Sequence, residues 1–72
     1  MGDLVSDAKE LTLRERQVLL LLGDGLRASW IATRLGLSLA TVRNHIRSIL
    51  LKLDCHSQLE AVAEGRRRGL LQ

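Results

Sequence analysis

The stretch SLATVRNHIRSILLKL, residues 38–53, decides how this chain is read. Val42, Ile46, Ile49 and Leu53 recur at three- and four-residue intervals, which on an α-helix draws one apolar stripe for a core to cover. Ser38 stands just ahead of them, and its hydroxyl can accept from a free backbone N–H of the first turn. The spacing predicts a helix over about 39–53. Its other side carries Ala40, Arg43, Asn44, Arg47, Ser48 and Leu51. Such a face suits the major groove of DNA. Arg can take guanine N7 and O6 with two hydrogen bonds, and Asn can take adenine N6 and N7 in the same way.

Working outward, the segment before this helix reads as a shorter one over about 29–35, with Ile31, Ala32 and Leu35 facing inward. Gly36 and Leu37 then lead into Ser38. Helix, short glycine-containing turn and capped helix form the helix-turn-helix pattern, whose second helix enters the groove. Further upstream, Thr12 and Glu15 have the spacing of a capping box, in which each side chain satisfies a backbone donor of the other residue. They predict a first helix with Val18, Leu19 and Leu22 buried, stopped by Gly23, Asp24 and Gly25. Downstream, Ser57 and Glu60 repeat the box and open a fourth helix, with Leu59, Val62 and Ala63 on one face. Arg66, Arg67 and Arg68 fall in its last turn, where they complement the helix dipole. Gly69 ends it, with Leu70 placed to cover the stop. Gly65 inside this helix is about 1 kcal/mol worse than alanine. It marks either a close helix–helix contact, such as a dimer seam, or early fraying.

The expected fold is all-α, four helices over 11–72 behind a loose arm or linker remnant at 1–10. Composition agrees. The chain of 72 residues has no Phe, Tyr or Pro, one Trp and a leucine-dominated apolar set, which favours helix over sheet. Its longest apolar run, residues 18–22, is far too short to span a bilayer, so no membrane role is expected. One cysteine permits no internal disulfide, which points to a reducing, cytoplasmic setting.

The formal net charge is only +3, but it is unevenly placed. Residues 27–53 hold Arg27, Arg34, Arg43, Arg47 and Lys52 and no acidic residue. The first 26 residues hold three basic and five acidic side chains, and the tail from Asp54 holds three of each. A basic middle is the electrostatic footprint of a nucleic-acid binder. It fits a solvated helical face equally well, and charge alone does not separate the two.

No enzymatic constellation is present. His45 and His56 stand eleven positions apart with Cys55 beside the second, which is no zinc spacing. There is no phosphate-cradling glycine loop, no nucleophile motif and no metal or cofactor site in the sequence. Cys55 reads as a small apolar filler, with a redox switch as the alternative.

The ordered motifs resemble one family. Leu11-Thr12-x-Arg14-Glu15-Arg16-x-Val18-Leu19 is followed by Ile31-Ala32-x-x-Leu35-Gly36-Leu37-Ser38 and by Thr41-Val42-Arg43-Asn44-His45-Ile46. Then come Ile49-Leu50-x-Lys52-Leu53 and Glu60-Ala61-Val62. Together they resemble the LuxR/FixJ-type DNA-binding domain of bacterial transcription regulators, across roughly residues 11–71. The resemblance implies a four-helix domain that binds double-stranded DNA as a homodimer at inverted repeats, with RNA polymerase a candidate partner. It implies base reading by Arg43, Asn44 and Arg47, and contact with or buttressing of the phosphate backbone by Thr41, His45 and Lys52. It places the dimer contact on the fourth helix, through Leu59, Val62, Ala63 and Arg66. Members usually carry the domain behind a receiver or a small-molecule sensor, and some are stand-alone regulators of about this length.

Two departures from the family pattern stand out. Arg27 and Trp30 replace a Ser and a Glu that would cap the second helix, leaving Ser29 as a substitute cap for a shortened one. Trp30 is expected to pack across the domain surface, or else to anchor a protein partner. Gln58 stands where an Arg is common, which removes a phosphate or salt contact. Two other readings remain: a sigma-factor region-4-like module, and a protein-interaction module that keeps the fold without useful DNA binding.

Overall fold

The computed structural model describes residues 10–71, and within them the chain forms α1 (Leu13–Gly23), α2 (Ala28–Leu35), α3 (Leu39–Leu53) and α4 (Gln58–Arg67). No strand occurs among the described residues, as the all-α reading expects. The arm expected at 1–10 lies outside them, apart from the exposed Glu10.

Three of the four helices start where their local chemistry directs. Thr12 Oγ1 accepts from the Glu15 N–H at 3.0 Å, and Glu15 Oε1 accepts from the Thr12 N–H at 2.9 Å, which completes the first capping box. Ser38 Oγ accepts from the Thr41 N–H at 3.0 Å at the start of α3. Ser57 Oγ accepts from the Glu60 N–H at 3.1 Å at the start of α4. The second capping box is half formed, because Glu60 Oε1 accepts from the His56 N–H instead of reaching back to Ser57.

The start of α2 differs from expectation. Ser29 does not cap a shortened helix but lies inside α2, where its carbonyl accepts from the Thr33 hydroxyl. Arg27 is the N-cap and offers no side-chain bond to the free N–H groups. Burial of Ile31 and Ala32 holds the helix in place of a cap.

The helix stops share one geometry. A left-handed residue is followed by a residue whose N–H reaches back to the carbonyl five positions earlier: Leu26 to Leu21, Leu37 to Ala32, Cys55 to Leu50 and Leu70 to Gly65. This is the Schellman arrangement, and the four returning residues are half-buried against the core, which closes each stop with an apolar contact. At the turn between α2 and α3 the left-handed residue is Gly36, with φ 70°. At the end of α3 it is Asp54, with φ 58°, a conformation that Asp tolerates better than most residues.

The core lies where the four helices meet. Val18, Leu19, Ile31, Val42 and Ile49 are fully buried, joined by Leu22, Ile46, Leu53, Ala61 and Val62. α3 packs on each of the other three helices. Gly65 marks a close approach, but within the chain: a Cβ there would stand 3.0 Å from Leu19 Cδ2 and 3.3 Å from Leu71 Cγ. The glycine lets α4 sit down on α1, so it serves the core and not a dimer seam.

Candidate nucleic-acid interface

The buried residues of α3 fix which way the helix faces. At about 100° per residue, Val42, Ile46, Ile49 and Leu53 point inward, and the opposite direction carries Ala40, Asn44, Arg47 and Leu51 as the outermost ridge, with Arg43 on its flank. These five side chains are all exposed. The structure thus brings Arg43, Asn44 and Arg47 together on one open face. No described carboxylate lies within ion-pair distance of Arg43 or Arg47, so both guanidiniums keep their donors.

Four other cations, by contrast, are engaged within the domain. Lys52 Nζ donates to Glu15 Oε1 at 2.8 Å, and Arg67 and Arg68 both pair with Glu64. Arg66 donates to the Gly23 carbonyl at 3.3 Å, at the C-terminal end of α1.

Ser48 leaves the outer face on which the helical pattern places it. Its hydroxyl donates to Glu15 Oε2 at 2.6 Å, so Ser48 and Lys52 bind the same carboxylate of α1. Glu15 is itself buried at 5% exposure. Burial alone would raise its pKa, but the bonds from Lys52, Ser48 and the Thr12 N–H outweigh that effect and hold the carboxyl below its ordinary value. The anion bolts α3 to α1 along the edge of the exposed ridge. Of the two roles that the resemblance gives Lys52, this geometry supports the buttress. Nothing local in the sequence announces the bond, since Ser48 is 33 positions from Glu15.

Thr41 and His45 lie half-buried on the flanks of α3. The Thr41 hydroxyl is engaged as acceptor from Ser38 Oγ at 2.8 Å. The set expected on the fourth helix divides. Leu59, at 82% exposure, Ala63 and Arg66 face outward, whereas Val62 is buried in the core beside Ala61 and Gly65. Val62 is therefore removed from the dimer face: helical periodicity groups it with Leu59, but α1 already covers it. Trp30 does not pack across the surface as expected, since 63% of it is exposed. Cys55 is half-buried, and burial together with the Glu60 and Glu64 carboxylates raises its thiol pKa, the opposite of the shift that a reactive thiolate needs.

Comparison with known proteins follows the same lines. The model of the family described as bacterial regulatory proteins, luxR family, matches residues 9–64. It is the first of the two helix-turn-helix modules that the sequence resembles. Among curated relatives, the transcriptional regulatory protein DesR of Bacillus subtilis (strain 168) is 42% identical over 69 residues, 96% of this chain and 35% of that protein. The nitrate/nitrite response regulator protein NarL of Escherichia coli (strain K12) is 40% identical over 55 residues, 76% of this chain and 26% of that protein. The chain therefore spans about a third or less of the length of these relatives. The solved structure of the transcription factor GerE superposes with a TM-score of 0.81 at 37% identity, covering 86% of this chain and 92% of that one.

Proposed function

The chain belongs to the luxR family of bacterial regulatory proteins and has the helix-turn-helix fold of that family, and on that premise we propose that it reads a specific double-stranded DNA sequence with α3 in the major groove. The observation that carries this reading is the open ridge of α3. Two unpaired guanidiniums and one amide stand on a helix whose back is locked into the core and bolted to α1. A reader needs such rigid placement, because base contacts depend on position to a fraction of an ångström. Phosphate attraction supplies salt-dependent affinity, while Arg43, Asn44 and Arg47 supply specificity. The setting is the bacterial cytoplasm, where the chain regulates transcription.

The domain acts as a homodimer on an inverted repeat, through the outward face of α4. Leu59 is a large exposed apolar side chain beside an open groove lined by Leu22, Leu26, Arg27 and Arg66, and an isologous contact needs such a self-complementary shape. Two copies then set their α3 helices about one DNA turn apart. Arg47→Ala is expected to weaken binding to the cognate site by about 1–3 kcal/mol and to relax base preference at one position. A gel-shift titration in which the variant binds as tightly and as selectively as the wild type overturns the assignment.

The exposed Trp30 supports a second reading, in which α2 presents an anchor to a protein partner. Binding to random duplex DNA at low and moderate salt separates the two. The DNA reader shows a steep salt slope, and a pure interaction module shows no affinity even at low salt.

A further inference from the structure

We infer that Ala40 is a specificity-determining residue, reading the 5-methyl group of a thymine next to the bases taken by Asn44 and the two arginines. The inference rests on the proposed DNA reading and adds a base to it.

Ala40 is the second residue of α3 and lies on the same outward ridge as Asn44 and Arg47, at positions i, i+4 and i+7. In a helix-turn-helix the N-terminal residues of the second helix come closest to the base edges. Of the two hydroxyls near that end, Ser38 is engaged both as acceptor and as donor, and Thr41 lies half-buried on the flank of the helix, away from the ridge. Ser38 Oγ accepts from the Thr41 N–H at 3.0 Å and donates to Thr41 Oγ1 at 2.8 Å, so the two close on each other within the cap. What the tip of the ridge offers the groove is therefore the Ala40 methyl, exposed and with no polar atom. Of the four bases, thymine alone presents a methyl group in the major groove, and alanine contacts it apolarly. An Asn there would have sought adenine and an Arg guanine; a lone methyl rejects neither by hydrogen bonding but gains only from thymine.

The placement also sets the spacing. Ala40 and Asn44 are one turn apart, about 6 Å along the helix axis, which is about two base steps at roughly 3.4 Å each. The thymine therefore lies within about two steps of the adenine that Asn44 takes.

The test uses the full 72-residue chain. Half-sites are selected from a random duplex pool, and each thymine of the selected site is then replaced in turn by deoxyuridine, which differs only in lacking the 5-methyl group. Gel-shift titrations with the wild type and with Ala40→Gly complete a double-mutant cycle, in which any helix weakening by glycine cancels because only the thymine-to-uracil ratio within each protein is compared. The expected result is one thymine whose replacement weakens wild-type binding by about four-fold, the factor that burying one methyl-sized group supplies, and has no effect on Ala40→Gly. A selected site with no methyl-sensitive thymine, or one whose sensitivity survives unchanged in Ala40→Gly, overturns the inference and leaves the DNA reading intact. Failure of the chain to select any sequence overturns both.

Discussion

Glu15 sits at a position where an anion is costly, buried on the inner side of α1. Its two oxygens take the Thr12 N–H, the Lys52 ammonium and the Ser48 hydroxyl, and their combined pull exceeds the penalty of burial. Because its folded pKa lies below the unfolded one, its contribution to stability is fully present above the unfolded value and is lost as pH falls through the folded value. Wild-type stability, followed by urea unfolding from about pH 6 to pH 3, is thus expected to decline on the acid side, and Glu15→Gln to decline less. Glu64 adds to the same acid limb, since Arg67 and then Arg68 hold its pKa down, so the variant flattens the profile without levelling it. Glu15→Ala goes further. It leaves the Lys52 side chain, only 23% exposed, without its counter-ion, and is expected to cost about 2–3 kcal/mol at neutral pH. A Glu15→Gln profile that parallels the wild type would exclude this account.

At the scale of elements, α2 is the helix with the least local support. Arg27 caps it with backbone alone, and its first turn carries no acidic residue. Replacing both departures together, Arg27→Ser with Trp30→Glu, restores a capping box at the site. It is expected to raise stability by about 1 kcal/mol, or about 4–8 °C in Tm for a domain of this size. A urea midpoint that does not move, with the slope unchanged, would count against an uncapped helix start. The other three helices show why so much of the fold is legible in the sequence. Thr12, Ser38 and Ser57 each bond within three residues of themselves, so the start signal is local and survives whatever packs nearby. The stripe Val42, Ile46, Ile49 and Leu53 likewise predicts its own burial. What periodicity does not carry is the identity of the neighbour. It groups Val62 with Leu59 and Ser48 with Arg47, and only the packing of α1 against α3 and α4 separates each pair. Ser29 misleads for a related reason: serine is a good cap wherever it stands, but burial of Ile31 and Ala32 goes with a helix start two residues earlier than a Ser29 cap would set.

At the scale of the whole molecule, the question is how two copies meet. The outward face of α4 offers Leu59 and Ala63 as its apolar side chains, while Val62 is committed to the core and Arg66 to the Gly23 carbonyl. A stable protein–protein interface buries about 800 Å² on each partner. Two side chains, one of them alanine, supply a small part of that. The proposed dimer is therefore too weak to persist in solution and forms when an inverted repeat holds two copies side by side, where tethering raises the effective concentration to about the millimolar range. Three outcomes follow from this balance. Sedimentation of the free chain at micromolar concentration gives a monomer. Titration of a full inverted repeat is cooperative, whereas titration of a single half-site is not. Leu59→Glu, a change on a fully formed surface turn of α4, leaves half-site affinity and thermal unfolding as they were but removes the cooperativity, because two like charges then face each other across the contact. A free chain that sediments as a dimer, or a Leu59→Glu variant that binds the full repeat as cooperatively as the wild type, places the dimer contact on another face. Weak self-association of this kind would also make regulation adjustable, since any partner that brought two copies together would gain the whole cooperative term without a new contact to DNA.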